Sequence, residues 1–422
     1  MRFGADLREV FFMACNFTPE SLSRLAADCA DDAEALTSAL SAQSAANLAH
    51  DSGVKLHAMK KTVRKSAPKR ISRRQWFYTA AGAAAVPAIR PAQTSKLRLT
   101  MACWDYDRTR GLREGRVSFD GIELTYLPLV VEETFFRMLR YREFDVAEMS
   151  LSSYTLSLFA DKPQFIAIPV FPSRMFRHNG IFINVDSRIR EPKDLVGKRI
   201  GTPEYQLTAP VWQRGILSDE YNVPVTSVTH FQGGLEEAGR EEKINPNLPP
   251  NIKLQAIPAG KTLSQMLEAG EIDALVSPRS PSSFKPGGKV RRLFEDYAAV
   301  ERAYYERTKI FPIMHVVAIR RDVYEKYPWV AQSLFKGLIE SQKITYEDLH
   351  ETAALKVMLP WLIKHVEETD AVMGKDFWPY GLEPNVKTLS TFLRYSYEQG
   401  LAKRILQPKE LFAPESLESF KI

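Results

Sequence analysis

Along residues 96–412 apolar and polar positions follow a repeating strand–helix rhythm. Lys96 to Trp104 (KLRLTMACW) alternates and predicts a strand, followed by a polar turn over Asp105 to Gly111. A second strand is predicted over Ile122 to Leu129, after the Asp120-Gly121 turn signal. Glu132 to Arg142 places Phe135, Met138 and Leu139 on one helical face. A short strand over Asp145 to Ser150 and a helix over Leu151 to Phe159 complete this set. Strand–helix alternation of this kind predicts a parallel sheet with crossovers.

Residues 168–184 (IPVFPSRMFRHNGIFIN) come next: two β-prone apolar runs around a loop that carries Arg174, Arg177 and His178. A second set then begins, with a strand over Lys198 to Gly201 and a helix over Ala209 to Glu220. It continues with a strand over Ile252 to Pro258, a helix over Leu263 to Leu267 and a strand over Ile272 to Ser277. Gly233 to Pro250 reads as a polar surface loop. Val290 to Glu306 predicts a helix with Leu293, Tyr297, Val300 and Tyr304 on one face, and Phe311 to Ile319 an apolar strand. Helices over Trp329 to Tyr346, Thr352 to Val366 (kinked at Pro360) and Val386 to Ala402 end the chain. The order predicts an α/β protein of two lobes joined by two crossings. Residues 93–186 and 284–422 form lobe 1, and residues 187–283 form lobe 2. Ligands then bind between the lobes, at the carboxyl ends of the strands.

Charge and cysteine content narrow the classes. The formal charge is +6, but residues 1–88 hold 12 basic and 8 acidic residues, leaving a nearly neutral 45 against 43 in the body. That speaks against a nucleic-acid partner. Met59 to Arg74 holds eight Lys or Arg and no acid. Ser72-Arg73-Arg74-Gln75-Trp76-Phe77 and a short apolar run, Ala80 to Ala88, follow. This reads as a twin-arginine export signal over 59–92, with periplasmic delivery as its consequence; a basic linker is the plain alternative. Met59 is then the expected start, and residues 1–58 an extension outside the fold. The apolar run is too short to span a membrane. Of Cys15, Cys29 and Cys103, only the last lies in the body, so no disulfide or cysteine-based metal site is expected there.

Seven runs resemble one family: DYDRTRGL (105–112), FDVAEMSLSSY (144–154), the 168–184 stretch, DLVGKRIGTPEYQLTAPVWQRGILSDEYNV (194–223), GEIDALVSPRSP (270–281), FPIMHVVAIRRDVY (311–324) and DFWPYGLEPNVKTL (376–389). The chain resembles the 4,5-dihydroxyphthalate decarboxylases, which are similar in turn to type II periplasmic solute-binding proteins. The resemblance implies a two-lobed type II periplasmic-binding-protein-like fold with extra C-terminal helices, and a small aromatic dicarboxylate as ligand. It implies decarboxylation to protocatechuate and CO2, or else solute capture for an ABC-type permease.

The decarboxylation calls for a cation on the spare carboxylate and a proton donor at the ipso carbon. The aromatic ring is its own electron sink, so no organic cofactor is expected, and no ligand-spaced His or acidic cluster marks a metal site. His178 is the candidate acid, because its imidazole titrates near neutrality, or a loop histidine already satisfied. Glu148, at a strand end, and Glu204, before a helix, are candidate bases, or a cap and an ion-pair partner. Arg174 and Arg177 are candidate carboxylate clamps, or surface ion pairs. Arg279 ends a strand that faces the cleft. Arg108 is either a ligand contact or tied to Asp105 or Asp107. Thr208 marks a helix N-terminus suited to an anion, or a plain cap. Tyr205, with Tyr106 and Trp104, either stacks on the ligand ring or packs in the core. His315, inside FPIMHVV, reads as a core or hinge histidine.

Overall fold

The computed structural model describes residues 95–417 except 241, 243 and 245. The twin-arginine segment, Met59, Cys15 and Cys29 lie outside the described residues. The first lobe starts with β1 (Leu97–Cys103), α1 (Asp107–Arg113), β2 (Ile122–Pro128), α2 (Val131–Tyr141), β3 (Val146–Ser150), α3 (Leu151–Ser157) and β4 (Phe165–Ile168). The chain then runs through β5 (Ile181–Asn184), β6 (Arg199–Thr202), α4 (Thr208–Tyr221), β7 (Thr229–Gln232), β8 (Lys253–Ala256), α5 (Leu263–Glu268), β9 (Ala274–Val276), β10 (Val290–Arg292) and α6 (Tyr297–Thr308). It ends in β11 (His315–Arg320), α7 (Arg321–Lys326), α8 (Trp329–Leu349), α9 (Leu362–Met373) and α10 (Val386–Glu398).

Two sheets result, one per lobe. The first has the order β2-β1-β3-β11-β4, the second β10-β5-β9-β6-β7-β8. In the first, β1 runs parallel to β2 and β3, and β11 returns antiparallel between β3 and β4. In the second, β6 to β9 are parallel neighbours, while β5 and β10 pair antiparallel at one side. The first sheet is covered on both faces. One face packs Ala147, Met149, Val316 and Ala318 toward α2, α3 and the C-terminal segment; the other packs Val146, Val317 and Ile319 toward α8. β3 is buried at every position, Glu148 and Ser150 included, because both faces of its sheet are covered.

Several elements differ from the sequence reading. Asp107 to Arg113 is a helix, because Asp107 in the first turn and Arg113 in the last complement the helix dipole. Val290 to Arg292 pairs with β5, and the following helix starts only at Tyr297, where Asp296 Oδ1 accepts the Ala299 N–H. Residues 350–361 form no helix. Pro360 ends the pattern rather than kinking it, since it lacks an N–H and disfavours α geometry at the preceding residue. β7 has only four residues and a mixed pattern, too short for periodicity to reveal. β5 and β10 both belong to the second sheet, so lobe 2 extends beyond 187–283 on each side. The reason is non-local: both strands pair antiparallel with partners that hydrophobic pattern alone does not name.

The C-terminal helices also do more than extend lobe 1. Phe392 and Tyr395 of α10 pack on Trp212 of α4, with ring centroids 5.5 and 5.6 Å away. A Cβ on Gly215 would lie 2.1 Å from the Tyr395 ring, so this approach depends on glycine. Trp212 Nε1 donates to Ile313 O at 2.9 Å, tying α4 to the returning crossing. No helix among the described residues is long and apolar enough to cross a membrane.

Candidate active site

The carboxyl ends of β1, β3, β6 and β9 converge on one cleft between the lobes. It holds about 260 Å³ and is lined by Trp104, Tyr106, Phe135, Ser150, Ser173, Met175, Arg177, Thr208, Pro278, Arg279 and His315, among others. A second cavity of about 490 Å³ adjoins it, sharing Glu132, Leu207, Pro278 and Arg279 as walls.

At the cleft wall a buried carboxylate meets a histidine. In the antiparallel register of β3 and β11, His315 lies opposite Ser150. Glu148, two residues earlier on β3, is then its diagonal neighbour on the same sheet face. His315 Nδ1 is 2.6 Å from Glu148 Oε1. The same oxygen accepts the Tyr106 hydroxyl at 2.7 Å. Oε2 accepts the Trp104 N–H at 3.0 Å and the Cys103 thiol at 3.5 Å. Glu148 is fully buried. Burial pushes its carboxyl upward, but the His315 charge and hydrogen bond, then the Trp104 N–H and Tyr106 hydroxyl, outweigh it and hold the group below its ordinary range. Burial raises the Cys103 thiol, so this sulfur stays protonated as a donor.

An ionised carboxylate only accepts, so His315 Nδ1 carries the proton of this bond. Its Nε2 is then the nitrogen left for chemistry, and it has no hydrogen-bond partner among the described residues. Phe135 meets the imidazole edge-on at 4.9 Å and fixes the ring plane. Trp104, 39% exposed, offers an aromatic face to the same space.

Two arginines and one helix end supply positive potential. Arg177 is buried, yet among the described residues its guanidinium makes one hydrogen bond, from Nε to the Met314 sulfur at 3.0 Å. Burial lowers its pKa to about 10, while the nearby Glu301 acts in the opposite direction. It lines the cleft with no acid at salt-bridge distance among the described residues. Arg279 lines the cleft from lobe 2, 3.5 Å from Glu132. Thr208 opens α4; its hydroxyl meets Ser150 Oγ at 2.8 Å and accepts the Ser152 N–H at 3.0 Å. This joins the starts of α3 and α4, and first-turn N–H groups of α4 have no acceptor within the helix. Among the described residues no group of three His, Cys, Asp or Glu side chains stands where it can hold a metal ion.

Other candidates lie elsewhere. His178 is 1% exposed, edge-on to Phe294 and Tyr304, with neither ring nitrogen hydrogen-bonded. Burial, then Arg307, lowers its pKa to about 4, so it is a neutral core residue rather than an acid facing the cleft. Arg174 is consumed as a strut: it donates to Phe311 O at 3.0 Å, Pro379 O at 2.8 Å and Asn385 Oδ1. Arg108 donates to Asp107 at 2.9 Å and to Pro172 O, sandwiched by the Tyr106 and Trp378 rings. Glu204, fully buried, pairs with Arg240 at 2.7 Å away from the cleft. Tyr205 is a core residue, its hydroxyl on Gln399 O and its ring under Arg214.

Sequence reasoning left His315 in the core. The available signal was a lone polar residue inside the apolar run Phe311 to Ile319, three positions after Pro312.

No protein-family model matches the chain. It is 44% identical over 329 residues to 4,5-dihydroxyphthalate decarboxylase of Comamonas testosteroni, covering 78% of this chain and 100% of that protein. It is 44% identical over 216 residues to 4,5-dihydroxyphthalate decarboxylase of Pseudomonas putida, covering 51% of this chain and 84% of that one. Among solved structures, the periplasmic aliphatic sulphonate binding protein SsuA of Escherichia coli aligns with a TM-score of 0.41 and 14% identity, over 76% of this chain and 98% of its own. The desulfurization enzyme DSZB aligns with a TM-score of 0.40 and 14% identity, over the same shares. With the whole of the Comamonas protein matched, the chain belongs to the 4,5-dihydroxyphthalate decarboxylase family of carboxy-lyases.

Proposed function

We propose that the protein decarboxylates 4,5-dihydroxyphthalate, or a close hydroxylated aromatic dicarboxylate, to protocatechuate and CO2 in the inter-lobe cleft. The observation that carries this reading is the Glu148–His315 pair, with His315 lining a cleft that also holds Arg177, which has no acid at salt-bridge distance among the described residues.

In 4,5-dihydroxyphthalate each carboxylate is para to a hydroxyl. As the imidazolium paired with Glu148, His315 delivers its Nε2 proton to the ipso carbon and is left neutral, with the Nδ1 proton still hydrogen-bonded to Glu148. The para hydroxyl gives up its own proton, leaving a dienone. The C–C bond to the carboxylate then breaks. CO2 leaves, the bonding pair restores the aromatic ring as a phenolate, and the phenolate regains a proton. One proton is consumed overall and no oxidant is needed. Glu148 is a positioning residue: it holds the Nδ1 proton and the ring orientation. Arg177 and the start of α4 hold the spectator carboxylate, while Trp104 and Phe135 contact the ring. His178 has no part in this scheme.

The test is turnover. Purified protein given 4,5-dihydroxyphthalate should release CO2 and protocatechuate in equal amounts. Binding without product would instead favour solute capture for a permease. The twin-arginine segment supports placing the reaction in the periplasm. Cell fractionation should then find the protein there, and Arg73→Lys with Arg74→Lys should retain it in the cytoplasm; export of that variant refutes the location.

A further inference from the structure

Glu132 stands in the first turn of α2, on lobe 1, and walls three adjoining cavities at the mouth of the cleft. Its Oε1 lies 3.5 Å from a terminal nitrogen of Arg279 and 3.8 Å from one of Arg240, both on lobe 2. Arg240 has a closer partner in the buried Glu204, at 2.7 Å. Arg279 is 61% exposed, and Glu132 is its one carboxylate at salt-bridge distance among the described residues. The cleft thus presents two cations of different standing. Arg177 is buried and unpaired, and Arg279 is covered by a loose, solvent-exposed carboxylate of the protein itself. Contacts of that length and exposure are weak and readily exchanged.

We propose that Glu132 is a specificity-determining residue that competes with the substrate's second carboxylate for Arg279. The inference rests on the dicarboxylate reading given above. A ligand with two carboxylates seats one on Arg177 and takes Arg279 from Glu132 with the other. A ligand with one carboxylate seats on Arg177 and leaves Glu132 in place. Loss of CO2 removes the group that displaced Glu132, so Glu132 returns to Arg279 and the product is held by one cation. The site thereby tells substrate from product by carboxylate count.

The experiment is calorimetric titration of wild type and Glu132→Gln with two probes, phthalate and benzoate. Neither has a para hydroxyl to act as electron sink, so neither is turned over. Glu132→Gln should lower the Kd for phthalate about fivefold, equivalent to about 1 kcal/mol, and leave that for benzoate little changed. Glu132 is partly exposed, so the variant is expected to fold. A purely structural latch would shift both ligands alike. Equal shifts, or phthalate binding that is unchanged or weaker in the variant, would overturn the proposal. If wild type turns over 4,5-dihydroxyphthalate but the differential shift is missing, only the role of Glu132 fails. If wild type binds no phthalate and releases no CO2, the dicarboxylate reading fails with it.

Discussion

Replacing Glu148 by glutamine changes one oxygen to an amide nitrogen, and the site has no acceptor waiting for it. The carboxylate takes four donors: His315 Nδ1 at 2.6 Å, the Tyr106 hydroxyl at 2.7 Å, the Trp104 N–H at 3.0 Å and the Cys103 thiol at 3.5 Å. Glutamine offers one acceptor oxygen. With that oxygen toward Tyr106 and His315, the new NH2 faces the Trp104 N–H and leaves it unpaired. With the amide flipped, the NH2 faces the His315 Nδ1 proton, donor against donor, so the ring must shed a proton to accept there and the imidazolium acid is lost. Breaking a buried pair in this way costs about 3–5 kcal/mol, a large share of the roughly 5–15 kcal/mol of a typical domain. The acid loses its fixed tautomer and orientation, so kcat should fall by about 10²–10⁴, with KM little changed because Arg177 is untouched.

The pH dependence has a definite sign. The folded pKa of Glu148 lies below its ordinary value, so its contribution to stability is present above the unfolded value, about 4.3, and lost as pH falls through the folded one. The stability gap between wild type and Glu148→Gln should therefore be full near neutrality and shrink in acid. The assays are urea unfolding at several pH values and CO2 release in the steady state. A folded variant that keeps kcat within about threefold of wild type, against the factor expected of a general acid, would refute the assignment of the pair.

Arg174→Gln and Arg177→Gln should separate cleanly. The first removes a strut to Phe311, Pro379 and Asn385 and lowers the unfolding midpoint by about 2–4 kcal/mol equivalent with ligand affinity retained. The second weakens phthalate binding about tenfold or more with smaller loss of stability, and titration with unfolding curves decides between them. His178→Phe should keep turnover, since the site is already aromatic and apolar. The wild-type histidine, its folded pKa about 4, binds a proton in the unfolded state first, so its contribution is lost as pH falls from about 6.5 toward 4. The variant should flatten that part of the stability curve, and a loss of kcat in a stable His178→Phe protein would return the acid role to His178.

Much of the architecture is written locally. The strands at 97–103, 122–128 and 146–150 and the helices at 131–141 and 208–221 follow from periodicity and turn chemistry, which depend on neighbours a few residues away. The resemblance of the seven runs to a decarboxylase family is also local, but it rests on the residues of those runs and not on their periodicity. The placement of Arg177, Thr208 and Arg279 at one cleft also follows from their positions near strand ends, once two α/β sets are recognised. What sequence spacing did not decide is which polar groups are already spent. Arg174 and Arg177 stand three residues apart in one loop, yet the first is bonded to residues 137 to 211 positions away and the second has no acid at salt-bridge distance among the described residues. His178 and His315 exchange their expected places for the same reason. The first is packed between the Phe294 and Tyr304 rings, while the second is brought against Glu148 by an antiparallel register across 167 residues. A side chain's chemistry is fixed by its type, but its availability is set by burial and partners, and those are created only when distant strands pair.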